Sequence, residues 1–290
     1  MTTRSISVVI PALIPDDENQ RLLDIQLAGL AEQDYDGEFE VIIADNGSRE
    51  SFPVHIMEHP LRYELKIRWI DASAKKGASF ARNVGAEQAA GEILLFCDHD
   101  DRVHPTWARR LIEFLDEGYD LVCSAVEGRT LNAEHPRTVA EVPDPAEFQP
   151  AGVFAPVIIG GSTACRADVY RKVGGMDVTY PANEDLAFGW TVHNAGYRTG
   201  FLPEALLAYR YRPGFRAGYR QGCVRGVGLA RLNADFPRSG MPEIRLTEVL
   251  WRICRLAVAR GLVAEERGLL LGIGVGQIRG GLRHRTLGWR

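Results

Sequence analysis

The apolar positions of this chain fall into short unbroken runs separated by helical spacing. Ser5 to Ile10 is β-branched and stops at Pro11, which predicts a strand ending in a loop. Leu22 to Gln33 places Leu22, Leu23, Leu27 and Leu30 on one helical face. Phe39 to Ala44 reads as a second strand, closed by the turn residues Asp45-Asn46-Gly47-Ser48. Leu65 to Ile70 predicts a third strand, Ser79 to Ala90 a helix stopped at Gly91, and Ile93 to Cys97 a fourth strand. Pro105 to Leu115 and Leu121 to Val126 continue the alternation as a helix and a strand. Val126 to Val157, with prolines at 136, 143, 145, 150 and 156, reads as a surface loop or edge hairpin. A Gly160-Gly161-Ser162-Thr163 turn, a helix near Ala167 to Val173 ended by Gly174-Gly175, and a helix from Glu184 to about Ala195 follow.

Strands that alternate with helices, and that are apolar without period-2 alternation, predict an α/β fold with a mainly parallel sheet covered on both faces. In such sheets ligands sit at the carboxyl ends of the strands. There the fourth run passes directly into Asp98-His99-Asp100-Asp101. An Asp-x-Asp at a strand end offers oxygen ligands to a hard divalent ion and leaves room for phosphate oxygens. Read alone, the same acids could be solvated turn residues, and Asp45 an Asx-turn residue that only shapes its loop. Lys75-Lys76-Gly77 and Arg82 offer cations to a diphosphate, Arg82 as a planar fork of donors. Glu184-Asp185 suits a helix N-terminus, and also suits a carboxylate base that takes a proton from an attacking hydroxyl. No G-x-x-x-x-G-K-[ST], G-x-G-x-x-G or G-x-S-x-G occurs, which excludes a P-loop and leaves no dinucleotide or serine-hydrolase signature.

The totals narrow the partners. The 290 residues carry a net charge of -4 and are 46% hydrophobic and 25% charged, ordinary for a globular protein and without a case for nucleic acid. The 5 cysteines are scattered and form no C-x-x-C pair, which argues for a reducing compartment and against a zinc or disulfide framework. None of the 7 histidines stands in H-E-x-x-H or another ligand spacing. With no signal-like N-terminal run and no membrane-length apolar run, a cytoplasmic location is the expectation.

Six segments together resemble the family-2 glycosyltransferases of the GT-A fold. They are Ser7-Val8-Val9-Ile10-Pro11, Glu40 to Ser48, Gly77 to Gly85, Leu95 to Asp101, Gly174-Gly175-Met176-Asp177, and Asn183-Glu184-Asp185-Leu186 leading to Ala195-Gly196-Tyr197-Arg198. They occur in the family's order and cover roughly residues 5 to 212. The resemblance implies a catalytic domain over 1–212, with a nucleotide-binding half to about 101 and an acceptor half after it, and a helical C-terminal extension over 213–290. It implies that Pro11 and Ala12 line the nucleotide pocket, that Asp45 holds the base, usually uracil, and that Lys76, Arg82 and His99 lie along the nucleotide-sugar. Asp98 would face ribose and metal-bound water, Asp100 would ligate Mn²⁺ or Mg²⁺ together with Asp98, and Gly161 would wall the sugar. Asp185, with Glu184 beside it, would be the base of an inverting displacement of a single sugar onto a hydroxyl acceptor in a cell-surface glycan, a lipid-linked compound or a natural product. Three departures stand out. Asn46 replaces the family's second Asp, Tyr209-Arg210-Tyr211-Arg212 stands where many relatives carry a metal-reaching His, and the Q-x-x-R-W of processive synthases is absent. A sugar-phosphate nucleotidyltransferase and a catalytically inert subunit of the same fold are the competing readings.

Beyond residue 213 the expectation is helices docked on the catalytic domain or on a second copy of the chain. From Arg245 onward nine arginines face three glutamates, and Leu246, Leu250, Ile253, Leu256 and Ala257 form one stripe, so a peripheral membrane contact through 244–290 is the second reading. Gly272, Gly276 and Gly280 share a helix face and permit close packing.

Overall fold

A computed structural model describes residues 4–133, 142–212 and 214–288, except the side chain of Ala257. The first half runs β1 (Ile6–Ala12), α1 (Asp17–Ala31), β2 (Phe39–Asp45), α2 (Phe52–Glu58), β3 (Ile67–Asp71), α3 (Ala78–Glu87), β4 (Ile93–Phe96), β5 (Arg102–Val103), α4 (Trp107–Asp116) and β6 (Leu121–Glu127). The second runs β7 (Thr163–Arg166), α5 (Ala167–Lys172), α6 (Glu184–Asn194), β8 (Thr199–Ala208), α7 (Phe215–Asp235), β9 (Ile244–Arg245), α8 (Leu246–Val258), α9 (Ala264–His284) and β10 (Leu287–Gly288).

One eight-stranded sheet carries the fold, in the order β3-β2-β1-β4-β7-β6-β8-β5. Six strands point the same way, as the alternation of elements predicts, and β7 and β5 run against them. The sheet is therefore mixed at its second half. β1 and β4 are buried along their whole length because both sheet faces are covered. On one face Val8, Ile10 and Leu95 pack with Leu23 and Leu27 of α1, Phe52 and Ile56 of α2, and Trp107 and Leu111 of α4. On the other, Val9, Leu94 and Phe96 pack with α3, α5 and α6, and Phe96 stacks on Tyr170 at 5.2 Å between ring centroids.

Several elements depart from the sequence expectation. α2 was not anticipated, and neither were β7 and β8. β7 has only four residues, directly after the Gly160-Gly161 turn. β8 contains Pro203, and its register to β6 slips twice between Ser124 and Val126. Within the Val126 to Val157 stretch, residues 142–157 hold one short 3-10 turn, Pro145–Glu147, and no strand. Pro136 lies outside the described residues.

The C-terminal helices are built on close backbone approach. α7 and α9 lie side by side, and a methyl group on Gly222 would run into the Leu269 carbonyl oxygen, while one on Gly272 would meet that of Tyr219. α8 buries the stripe read from the sequence only in part: Ile253 packs inward and Leu246 and Leu256 are half-buried, but Leu250 is exposed. Its inner face is Val249 and Ile253 against Gly274, and Leu250, Trp251 and Val258 face outward, with Arg255 lying 4.7 Å over the Trp251 ring. Among the described residues no helix is long and apolar enough to cross a membrane.

Candidate active site

The carboxyl ends of β1, β2 and β4 lie side by side, because the parallel register sets Ala12 opposite Asp45 and Val9 opposite Phe96. A cavity of about 720 Å³ opens at these ends. Pro11, Ala12, Asn46, Gly47, Lys76, Arg82, Asp98, His99, Asp100 and Glu184 are among its walls. A second cavity of about 710 Å³ adjoins it, with Gly161, Asp101, Asp185, Tyr209 and Arg225 in its lining. Arg82, Asp98, Asp100, Glu184 and Arg212 border both. Charged groups thus sit where the two spaces meet.

Arg82 is the centre of this wall. It leaves the first turns of α3 and is 4% exposed. Its Nη2 donates to Asp98 Oδ1 at 2.6 Å and its Nη1 to Glu184 Oε1 at 3.1 Å. Burial opposes its charge, but Asp98, Glu184 and Asp185 outweigh that and hold its pKa above the ordinary arginine value. Glu184 is raised instead, first by burial and then by Asp185, against the lowering effect of Arg82. Asp101 is raised well above the usual carboxylate range, by burial and then by Asp100 and Asp98, although its Oδ1 accepts from the Arg210 backbone N–H at 2.9 Å. Burial and neighbouring carboxylates thus both act against the ionised forms of Glu184 and Asp101.

α6 begins at Glu184, with Asp185 next, through an unusual entry. Asn183 takes a left-handed conformation at φ 61°, which Asn tolerates better than most residues, and its side-chain amide donates to the Arg225 carbonyl of α7 at 3.0 Å. The turn leaves Glu184 and Asp185 in the first turn of α6, where the helix dipole favours anions. Asp185 Oδ2 accepts from Gly160 N–H at 2.8 Å and Oδ1 from Leu186 N–H at 2.8 Å. A Cβ on Gly160 would stand 3.1 Å from Asp185 Cβ and 3.3 Å from Arg82 Nη2, so only glycine lets these three groups converge without displacement.

Not every expected residue reaches the cavity. Asp45 lies behind its wall, 5% exposed and absent from its lining. Its Oδ1 accepts from Gly47 and Ser48 N–H at 3.1 and 2.8 Å, and its Oδ2 from Trp69 Nε1–H at 3.0 Å. The turn-shaping reading of Asp45 is the one the geometry displays. His99 lines the cavity, and its Nε2 is buried without a hydrogen-bond partner.

Asn46 has a job that its position in the motif does not disclose. Its amide donates to the carbonyls of Ala72 and Lys75 at 2.6 and 2.7 Å, and its Oδ1 accepts from Gly77 N–H at 2.7 Å. One side chain thereby ties down the 72–77 segment that presents Lys76 to the cavity. A carboxylate at this position has no proton to donate and would face two carbonyl oxygens. Asn46→Asp is expected to cost about 1–3 kcal/mol of stability. Denaturant unfolding checks this, and an unchanged midpoint would remove the tie from the account.

Gln26 was also missed by sequence reasoning, although a polar residue within the apolar stripe of α1 was its visible signal. It is fully buried, donates to the Asp98 carbonyl at 3.0 Å and accepts from Val103 N–H at 2.9 Å. It brackets the acidic turn between β4 and β5. In place of a metal-reaching His, the chain after β8 contributes Arg210 and Arg212 to the first cavity, with Arg212 Nη2 3.9 Å from Asp100 Oδ2.

Known proteins bear on this geometry. Residues 7–174 match glycosyl transferase family 2. The pre-mycofactocin glycosyltransferase of Mycobacterium tuberculosis is 26% identical over 266 residues, 89% of this chain and 54% of the relative, so the chain spans about half of that protein. The glycosyltransferase AglE of Haloferax volcanii is 30% identical over 214 residues, covering 72% of this chain and 67% of the relative. Among solved structures, the mannosyltransferase PcManGT from Pyrobaculum calidifontis, in complex with GDP-Man and Mn²⁺, superposes with a TM-score of 0.67 at 17% identity, over 99% of this chain and 73% of that one. TarS of S. aureus in complex with UDP-GlcNAc gives a TM-score of 0.54 at 15% identity, over 97% and 92%. These structural likenesses speak for the fold.

Proposed function

The chain belongs to glycosyl transferase family 2, and we propose that it moves a single sugar from a nucleotide-diphospho-sugar, with UDP-sugars first in line, to a hydroxyl acceptor by an inverting displacement. The observation that carries this reading is the pair of cavities meeting at Arg82, Asp98, Asp100 and Glu184. The first suits the donor nucleotide, with Lys76 and the two arginines after β8 for its phosphates. The second suits the acceptor, with Asp185 in its lining. Relatives bound to GDP-Man or UDP-GlcNAc support a nucleotide-sugar donor for this chain as well.

In this reading Asp185 takes the proton of the acceptor hydroxyl as the oxygen attacks the anomeric carbon, and the sugar–phosphate bond breaks on the opposite face. Backbone N–H groups of Gly160 and Leu186 aim its carboxylate. Arg82 holds Glu184 and Asp98 in ion pairs, whereas Asp185 has no salt-bridge partner among the described residues and lines the second cavity but not the first. The donor set at the end of β4 fits a hard divalent ion. Asp98 and Asp100 offer carboxylate oxygens, and, beside the burial that chiefly raises Asp101, the repulsion among these acids is what an added cation would relieve. When bound, Mn²⁺ or Mg²⁺ would neutralise charge developing on the departing diphosphate.

Thermal melts with a panel of nucleotide-sugars test the donor assignment. A donor at 100 times its Kd adds about 2.7 kcal/mol of apparent stability. The shift should need Mn²⁺ and should vanish in Asp100→Ala. A metal-independent shift that survives Asp100→Ala would overturn the assignment.

A further inference from the structure

Away from both cavities, three metal-binding side chains converge between α1 and α2. His55 lies in α2, His59 follows four residues later at its carboxyl end, and Asp24 faces them from α1. His55 Nε2 is 2.8 Å and His59 Nε2 3.5 Å from the same atom, Asp24 Oδ1. One ligand atom from each of the three lies within 4.8 Å of the others. None of the three lines either of the cavities described above. This corrects the sequence expectation that no histidine pair has ligand spacing: His55 and His59 stand four apart on one helix face, and their third partner comes from α1, so only the packing of α1 on α2 completes the set.

We propose that Asp24, His55 and His59 form a second metal site, for a transition ion of the zinc class. Two imidazole nitrogens and one carboxylate suit Zn²⁺, whereas the all-oxygen cluster after β4 suits Mn²⁺ or Mg²⁺. Ligand atoms on a tetrahedral zinc with bonds near 2.1 Å stand about 3.4 Å apart. The two nitrogen–oxygen distances bracket that value, and all three ligand atoms lie within 4.8 Å of one another, so closing on an ion needs side-chain adjustment but no movement of the helices. The side chains of Asp24 and His55 are 38% and 24% exposed against 6% for His59, which leaves an open side for entry and for water as the remaining ligand. Coordination through His59 Nε2 puts the ring proton on Nδ1, so the 3.2 Å bond from Leu61 N–H to that nitrogen is given up for a metal–nitrogen bond. An ion here pins α1 to α2, and α1 carries the Gln26 that brackets the acidic turn.

The test uses the full chain without a histidine tag, stripped with chelator and titrated with Zn²⁺ and, separately, Co²⁺. The expected result is one zinc per chain, a visible Co²⁺ absorption band, and a rise in melting temperature of about 5 °C at saturating zinc. His55→Ala, at the partly exposed member, and Asp24→Asn should each lose the band and the zinc shift. Both variants should keep the Mn²⁺-dependent response to nucleotide, which separates this site from the donor site. Zinc binding that persists unchanged in both variants, or a chain that binds no zinc saturably, would overturn the proposal and leave a hydrogen-bonded trio.

Discussion

Asp185→Asn is expected to lower turnover by about 10²–10⁴-fold, the range typical of a lost general base. The reasoning is local. The Asn side chain has nearly the shape of Asp and retains an oxygen for the Gly160 or the Leu186 N–H, so the entry into α6 survives. It cannot take a proton from a hydroxyl. Donor binding depends on the first cavity, which Asp185 does not line. The loss should therefore fall on kcat and leave donor affinity as it is. Steady-state kinetics beside a donor titration separates the two, and a variant that keeps its turnover would transfer the base role elsewhere in the site.

Arg82→Met should have the largest effect on stability. The guanidinium is the shared partner of Asp98 and Glu184, and it is almost entirely buried. Removing one partner of a buried ion pair costs about 3–5 kcal/mol, because the remaining charges are left uncompensated. The cost should depend on pH. Burial and Asp185 raise Glu184, so the folded chain keeps that proton at pH values where the unfolded chain has released it. The stability tied to that proton is full below the unfolded value and is lost as pH rises through the folded one. Without Arg82 the raised group rises further, so the deficit of the variant should grow from mildly acidic toward neutral pH. Adding Asp98→Asn and Glu184→Gln to Arg82→Met should recover much of the loss. Chemical denaturation across pH reads all of this, and a deficit under about 1 kcal/mol at neutral pH would contradict the buried-clamp description.

The strand-end acids were legible because β4 is short, apolar on both faces and followed at once by charge. Arg82 and Glu184 were legible as residues of interest, but their pairing spans 102 positions and only the sheet brings them together. Asp45 shows a similar case. Its place at the end of β2 marked it in the sequence, and its carboxylate accepts from the Gly47 and Ser48 amides and the Trp69 indole, the last of which no sequence pattern showed. Asn46 looked like a departure from a motif and proves to be a tie, because its partners lie 26 to 31 positions away. β8 escaped notice since Pro203 and Glu204 break the run of apolar residues that marks β1, β2 and β4. The α8 stripe held at Ile253 and failed at Leu250, whose place Val249 takes, because helical spacing gives a face but not the neighbour that covers it.

Product analysis of nucleotide-sugar turnover tests the central claim most directly. With Mn²⁺ and an accepted donor, the account predicts release of a nucleoside diphosphate and transfer of the sugar with inverted anomeric configuration, lost in Asp185→Asn. Release of pyrophosphate, or retention of configuration, would contradict it.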